Sequence, residues 1–269
     1  MNKSLDKYSL YITYDGLLDP LGHSQILPYI EGLSSSGYKI VLLSFEKTDR
    51  LEGSIKKLKF RLKSKNIEWF YFPFKRRKFG YFIRIFLVFY FIKFRQKYKD
   101  FTLFHTRGIT TAIIYFICGF KCPLIYDIRA FAGEYIDCGR LNPKSIFAYF
   151  LKWFEKKLIK SSAGIVVLDE SGEKYIKNKF KKIRTNIKII PTCCDTQLFP
   201  IKDKISNSSF YRFVFLGGAR FPYRPDLALI LIKNLIKNNI TCKIDFINER
   251  DQDLIKQNCE KLEIPEDFY

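Results

Sequence analysis

The sequence contains few of the residues that build metal sites and disulfide frameworks. Only two histidines, His23 and His105, occur among its 269 residues. Its seven cysteines are an odd number, and no two of them form a Cys-x-x-Cys pair. Zinc sites and disulfide-rich scaffolds need closer groupings, so we expect no metal site and mostly buried, reduced thiols.

Acidic residues are scarce relative to basic ones. The chain has 47 Lys and Arg against 27 Asp and Glu, which gives a net charge of +20. This excess predicts an acidic partner, either nucleic acid or an anionic membrane surface. The hydrophobic content of 47% is typical of a globular protein. Because the first seven residues lack the apolar core of a signal peptide, we expect a cytoplasmic protein.

Apolar runs alternate with amphipathic segments along the whole chain. The pattern predicts strands at residues 9–14, 39–45, 68–72, 101–106, 123–129, 164–168, 187–190, 213–216 and 242–247. It predicts helices at residues 24–36, 51–65, 79–98, 108–119, 142–160, 170–180, 225–238 and 251–262. Such alternation is typical of an α/β fold with a doubly wound parallel sheet, covered by helices on both faces.

The chain divides at a short polar stretch. Residues 201–209 are rich in Ser, Lys and Asn and are typical of an interdomain linker. We therefore predict a Rossmann-like domain at residues 1–200 and an incomplete second Rossmann-like domain at residues 210–269. Within residues 142–160 we expect aromatic residues on one side of the helix and lysines on the other.

The loop after the first strand is a candidate ligand site. Its candidate residues are Asp15, Gly16, Gly22, His23 and Ser24. The glycines let backbone approach a ligand, and Ser24 is placed to cap the next helix, whose N-terminus favours an anionic group. An ordinary surface loop is the alternative.

Charged residues follow other predicted strands, where open α/β sheets bind their ligands. They are Glu46, Lys47, Arg107, Asp127, Arg129, Glu134, Asp137, Asp169 and Glu170, beside Thr106 and Gly108. Asp127, Arg129 and Glu134 form the densest group, which can orient a hydroxyl and stabilise phosphate charge. A structural salt bridge is the alternative, and a lone histidine such as His105 is more typical of a core residue.

In the second domain, Gly217, Gly218, Arg220 and Arg224 form a candidate diphosphate cradle.

Residues 55–99 combine cations with aromatic rings, and Glu68 is the only acidic residue among them. The apolar stretch 79–94 is too short to span a bilayer and contains Arg84. It fits a helix lying in the interface of an anionic membrane. Binding of single-stranded nucleic acid, and a buried helix between two solvated lysine clusters, are the alternatives.

Several motifs together resemble a known family. Asp19-Pro-Leu-Gly-x-Ser-Gln-x-Leu-Pro-Tyr29 and Leu43-Ser-Phe-Glu-Lys47 resemble the N-terminal domain of GT-B glycosyltransferases of family 4. The similarity is greatest to bacterial capsule, exopolysaccharide and O-antigen transferases. It continues through Tyr126-Asp-Ile-Arg129 and Ile190-Pro-Thr-Cys-Cys-Asp195-x-x-x-Phe199, and so extends over essentially the whole chain.

The resemblance implies two Rossmann-like domains, the first binding an acceptor and the second a nucleotide sugar, without a metal or cofactor. It implies that Asp127 lies near the reacting sugar, with Arg129 and Glu134 as the other candidate catalytic residues, and that the Gly22 loop faces the acceptor and the donor phosphates. Gly217, Gly218, Arg220 and Arg224 would contact the leaving diphosphate. We therefore expect sugar transfer to a lipid-linked glycan in cell-surface polysaccharide biosynthesis, at the inner face of the plasma membrane and without nucleic acid. A non-catalytic, membrane-associated or glycan-binding partner subunit is the alternative.

The first prediction concerns the activity of the chain alone. The sequence ends before the Glu-x7-Glu pair with which the family holds the sugar and ribose. We expect a truncated product, or one half of a two-chain enzyme, with little or no transferase activity by itself. Turnover of nucleotide sugars by the purified 269-residue chain would contradict this prediction.

Overall fold

The computed structural model describes residues 8–47, 52–74, 88, 90, 101–180, 183, 185–193, 210–220, 223–248 and 251–269. The chain divides into two compact units, residues 1–199 and 200–269. The predicted helix at 79–98, apart from residues 88 and 90, and the predicted linker at 201–209 lie outside the described residues. None of the helices in the described part of the chain is long and apolar enough to cross a membrane.

The first unit is built on a parallel sheet of seven strands. These are β1 (Tyr8–Thr13), β2 (Ile40–Lys47), β3 (Ile67–Phe74), β4 (Phe101–Arg107), β5 (Leu124–Asp127), β6 (Gly164–Val167) and β7 (Asn186–Ile189). Their order across the sheet is β3-β2-β1-β4-β5-β6-β7, and each neighbouring pair is parallel. The predicted doubly wound parallel sheet is confirmed.

Helices connect these strands. A π-helical turn (Gly22–Ile26) runs into α1 (Leu27–Ser35), and α2 (Glu52–Lys63) precedes β3. The remaining helices in the described residues of this unit are α3 (Ile109–Ile117), α4 (Ala132–Asp137), α5 (Ile146–Ser161) and α6 (Glu170–Lys179). The sequence pattern did not predict α4, because six residues are too few for a helical period to stand out.

Both faces of the sheet are buried, which explains the continuous apolar runs of its central strands. Leu10 and Ile12 of β1 pack into one core with Val41 and Leu43. Tyr11, whose side chain points to the opposite face, packs into a second core beneath α1 and α2. A strand covered on both sides has little room for polar residues, so the apolar run marks its position in the sequence.

A buried glutamate holds the loop that follows β1. Glu46, at the end of β2, accepts hydrogen bonds from the backbone N–H groups of Leu17 (2.7 Å) and Leu18 (3.2 Å). Ser44 donates to the same carboxylate at 2.6 Å, and Trp69 donates in turn to the Ser44 hydroxyl at 2.8 Å. These contacts hold the loop that contains Leu17 and Leu18 against the end of β2.

Gly22 makes room for another part of this loop, and Gly16 makes room for the end of β2. A Cβ atom on Gly22 would lie 1.9 Å from the carbonyl oxygen of Gly16, and one on Gly16 would lie 2.7 Å from Glu46 Oε2. The expected capping role of Ser24 is wrong. Its hydroxyl lies inside the π-helical turn and donates to the carbonyl of Pro20 at 2.8 Å, so it satisfies a C=O group and no N–H group.

The second unit contains a parallel pair of strands, β8 (Tyr211–Leu216) and β9 (Cys242–Ile247). Two helices, α7 (Pro225–Lys237) and α8 (Gln252–Lys261), pack on it around Leu229, Ile232 and Ile244. The strands and helices that the sequence predicted for residues 211–262 are therefore confirmed, with bounds that differ by at most two residues.

Replacing Gly22 should destabilise the first unit. In Gly22→Ala the new methyl group meets the Gly16 carbonyl, and overpacking of this kind costs about 1–3 kcal/mol. Urea unfolding followed by tryptophan fluorescence measures the effect, since Trp69 and Trp153 both belong to the first unit.

Gly32→Ala is the matched control, because Gly32 lies in α1 and no atom lies within 4 Å of the position that its methyl group would take. Alanine there should raise the free energy of unfolding by about 0.5–1 kcal/mol. Equal stability of the two variants would contradict the proposed packing of the loop.

Candidate functional site

The chain changes direction across the sheet at β1. From β1 it runs outward through β2 and β3, and it then returns to the other side of β1 to form β4. The connections on the two sides of this point leave in opposite directions, so a crevice opens at the carboxyl ends of β1 and β4. Such crevices are where open α/β sheets bind ligands.

Asp127 ends β5 beside this crevice. Its side chain is only 2% exposed, and its Oδ2 atom accepts two hydrogen bonds from Arg129, at 2.7 Å from Nη2 and 3.1 Å from Nε. Its Oδ1 atom is buried and has no hydrogen-bond partner among the described residues. Burial raises the pKa of Asp127, and Arg129 and Arg107 act in the opposite direction.

Arg107 ends β4 and connects three parts of the site. Its Nη2 atom donates to Gln25 Oε1 at 2.7 Å, and its Nη1 atom lies 3.9 Å from Asp127 Oδ2. Its Nε atom lies 3.5 Å from Asp15 Oδ2 and makes no hydrogen bond within the described part of the chain. The buried guanidinium therefore links the glycine loop, the π-helical turn and β5.

Sequence reasoning gave Arg107 a place among the residues that follow strands but assigned it no role, and it overlooked Gln25. The available signal was the position of Gln25 in the Pro-Leu-Gly-x-Ser-Gln motif. Arg107 and Gln25 are 82 residues apart, so no local pattern pairs them.

His105, which precedes Arg107 on β4, lies in the core as expected of a lone histidine. Its ring packs 4.6 Å from that of Tyr11 and 5.7 Å from that of Tyr29. Its Nε2 atom lies 4.0 Å from Asp127 Oδ2 and has no hydrogen-bond partner in the described ranges. Burial, aided by Arg129 and Arg107, lowers the pKa of His105 to about 3, so the imidazole is neutral.

A cavity of about 420 Å³ lies at the carboxyl ends of β5 and β6. Its lining includes Arg129, Phe131, Glu134, Asp169 and Tyr175. Arg129 belongs both to this cavity and to the Asp127 cluster, and its side chain is 23% exposed. The positively charged guanidinium therefore contacts Asp127 on one side and borders the open cavity on the other.

Glu134 lines the same cavity but has a structural contact as well. It is exposed, and its Oε1 atom accepts a hydrogen bond from the N–H of Phe131 at 3.1 Å, which caps the start of α4. Asp127 and Arg129 are therefore brought together in one cluster, whereas Glu134 shares the cavity lining with Arg129 and hydrogen bonds to the start of α4.

A second buried glutamate supports this wall. Glu155 of α5 accepts a hydrogen bond at 2.6 Å from the N–H of Ala132, the first residue of α4. Burial raises the pKa of Glu155. Sequence reasoning missed this residue, because a single acid in a lysine-rich helix looks like part of a solvated face.

The predicted glycine-loop residues separate in the structure. Asp15 faces Arg107 and belongs to the cluster, while Gly16 and Gly22 are buried within the loop. His23 and Ser24 are exposed on the π-helical turn. Of the loop residues that sequence reasoning selected, Asp15 is the one that reaches the charged cluster.

The candidate diphosphate cradle follows β8 in the second unit. Gly217 and Gly218 lie against the ring of Tyr223, which a Cβ atom on Gly217 would approach to 2.9 Å. Arg220 pairs with Asp251 at 3.0 Å, and Arg224 pairs with Asp226 at 2.6 Å. Both arginines remain more than half exposed, so their donors are accessible to an anion.

No protein-family description and no curated protein sequence matches this chain. Solved structures match almost its whole length. A sucrose-phosphate synthase from Thermosynechococcus elongatus has a TM-score of 0.67 at 12% identity, covering 97% of this chain and 69% of that one.

The fold is that of GT-B glycosyltransferases. Medicago truncatula UGT71G1, complexed with UDP-glucose, matches with a TM-score of 0.54 at 12% identity, covering 98% of this chain and 71% of that one. The lipopolysaccharide outer core galactosyltransferase WaaB matches with a TM-score of 0.58 at 8% identity, covering 96% of this chain and 65% of that one. The predicted GT-B-like fold class is therefore confirmed.

The buried His105 should make the first unit sensitive to mild acid. Unfolding raises the pKa of His105 from about 3 to 6.5, so its contribution to stability is complete above pH 6.5 and falls as the pH drops toward 3. At pH 5 the loss is about 2 kcal/mol. Urea unfolding of wild type and His105→Asn at pH 7.5 and pH 5 tests this, since the variant should lose less stability between the two values.

His23→Asn, which removes the exposed histidine, is the control and should keep the wild-type pH dependence. The assignment fails if His105→Asn and the wild type lose equal free energy of unfolding over this range.

Proposed function

We propose that this protein transfers a sugar from a nucleotide sugar to a membrane-linked glycan acceptor in cell-surface polysaccharide biosynthesis. Two of the structural neighbours bear on this proposal. One was solved with UDP-glucose and another is a lipopolysaccharide outer core galactosyltransferase. The family 4 motifs quoted above support the same substrate class.

The observation that carries the proposal is the Asp127 cluster with its opening into a pocket. Asp127 is buried, and its hydrogen bonds fix the guanidinium of Arg129 at the wall of the 420 Å³ cavity. A fixed positive charge in a partly buried pocket stabilises negative charge on a bound substrate. Arg129 is therefore the group that contacts substrate, and Asp127 holds it in position.

The other residues complete the assignment. Glu134, which also lines this cavity, accepts hydrogen bonds from sugar hydroxyls. Arg107 forms an ion pair with Asp15 and so holds the glycine loop next to the cluster. Gly217, Gly218, Arg220 and Arg224 of the second unit bind the donor diphosphate, exchanging part of their present ion pairs for phosphate oxygens.

The proposal includes peripheral association with the cytoplasmic face of the plasma membrane through residues 55–99. In the described part of this segment, α2 presents Lys56, Lys57, Lys59 and Lys63 to solvent. Arg61 and Lys65 are engaged elsewhere, because both pair with Glu31 of α1, at 2.7 Å and 2.9 Å. Glu31 therefore neutralises part of the positive charge of this segment, in addition to Glu68, and fewer cations are available to lipid headgroups.

The test is made in the cell that carries this gene, because any partner chain that the activity needs is present there. Deletion should cause a lipid-linked glycan to accumulate one sugar short, as measured by mass spectrometry of extracted lipids. Reintroducing the wild-type gene should restore the full glycan. Asp127→Asn or Arg129→Ala should reduce its rate of formation about 100-fold, the usual cost of losing a fixed charge-stabilising group.

Arg140→Ala is the control, because Arg140 is exposed and lies outside the cavity lining. It should behave as wild type. Unchanged glycans after deletion would refute sugar transfer. Full restoration by Asp127→Asn and Arg129→Ala would favour the non-catalytic partner subunit.

A further inference from the structure

The outer surface of α5 (Ile146–Ser161) is divided along its length. Its first two turns expose large apolar side chains: Ile146 (88% exposed), Phe147 (57%), Tyr149 (67%), Phe150 (43%) and Trp153 (56%). Its exposed lysines are Lys152, next to Trp153, and Lys156, Lys157 and Lys160 in the last two turns. The sequence pattern predicted aromatic and basic residues on opposite sides, whereas in the structure they share one exposed face, with the large apolar side chains in its N-terminal half and three of the four lysines in its C-terminal half.

The exposed side chains of α5 itself carry charge of a single sign. From Gly139 to Leu168 the sequence contains six cations and one acid, Glu155. Glu155 is 1% exposed and hydrogen bonds to Ala132, so it does not reach the surface. A second copy of this strongly basic chain would be repelled by the lysines, whereas an anionic surface would be attracted.

The exposed rings are fixed to the core of the first unit. Phe150 stacks on Phe154 with the ring centroids 5.9 Å apart, and Phe154 packs edge-on against Phe116 of α3 at 5.5 Å. Lys157 Nζ lies 4.8 Å from the centre of the Phe116 ring and 5.5 Å from that of Trp153. The apolar surface is therefore part of a packed helix.

We propose that the N-terminal half of α5, Ile146 to Trp153, inserts into the interface of an anionic membrane. A helix of 16 residues is about 24 Å long, which is too short to span the hydrocarbon core but sufficient to lie tilted in the interface. Trp and Tyr are suited to the boundary between acyl chains and headgroups. The lysines of the last two turns then lie at the level of the lipid phosphates.

This inference does not depend on sugar transfer, and it concerns a different surface from residues 55–99. Vesicle binding is measured without a sugar donor or acceptor. Failure of the membrane proposal would leave the glycan test undecided, and failure of the glycan test would leave vesicle binding unaffected.

The test compares binding to vesicles of phosphatidylcholine with binding to vesicles that also contain phosphatidylglycerol. The full chain should sediment with the anionic vesicles. The combined variant Ile146→Ser, Phe147→Ser and Tyr149→Ser should bind at least about tenfold more weakly, because three apolar side chains no longer enter the interface. All three residues are exposed, so the fold is retained, which urea unfolding checks.

The control variant Tyr38→Ser and Tyr211→Ser removes aromatic rings that are similarly exposed, at 54% and 57%, but lie outside both α5 and residues 55–99. It should bind like the wild type. The proposal is overturned if the α5 variant keeps full binding, or if the control variant loses it instead. It is also overturned if the α5 variant converts a dimer into a monomer in analytical ultracentrifugation without weakening vesicle binding.

Depth is measured with brominated lipids, which quench tryptophan within the acyl region. The chain has two tryptophans, and Trp69 is only 2% exposed. Quenching should therefore come from Trp153, and Trp153→Phe should abolish it while vesicle binding persists. Unquenched emission from membrane-bound wild type would place α5 outside the bilayer and contradict the proposal.

Discussion

The parallel pairing of β1 with both β2 and β4 is the constraint on which the structure depends. This pairing places β1 inside the seven-stranded sheet, between β2 and β4, and buries it on both faces. The carboxyl ends of β1, β4 and β5 then meet at one edge. Asp15, Arg107 and Asp127, which are far apart in sequence, become neighbours because the strands that carry them are neighbours.

Buried carboxylates organise the loops around that edge. Glu46 holds the backbone of Leu17 and Leu18, Glu155 holds the first turn of α4 through Ala132, and Asp127 holds Arg129. A buried carboxylate is costly unless hydrogen bonds compensate it, so each of these acids strongly favours one arrangement of its donors. The walls of the pocket are therefore set by interactions that are out of contact with solvent.

The basic residues that the structure describes fall into two groups, those paired with acids of the protein and those exposed on its surface. Arg107 and Arg129 belong to the charged cluster, and Arg61 and Lys65 pair with Glu31 across two helices. The lysines on the outer face of α5 have no acidic neighbour on that helix surface, since its one acid is buried. Net charge alone indicated an acidic partner. Which cations pair with acids of the protein and which stay exposed on the surface depends on the side chains that the fold brings together.

The sequence by itself determined the order of the strands and, apart from α4, of the helices in the described part of the chain, because a strand buried on both faces must be an apolar run and its end must be polar. For that reason Asp127 and Arg129 were recognisable as candidates. Only the tertiary structure decided their partners: Gln25 for Arg107, Glu31 for Arg61, and Ala132 for Glu155. The same holds for Ser24, whose hydroxyl bonds to a carbonyl rather than capping a helix. These contacts join residues from different elements, and a local pattern carries no information about which elements become neighbours.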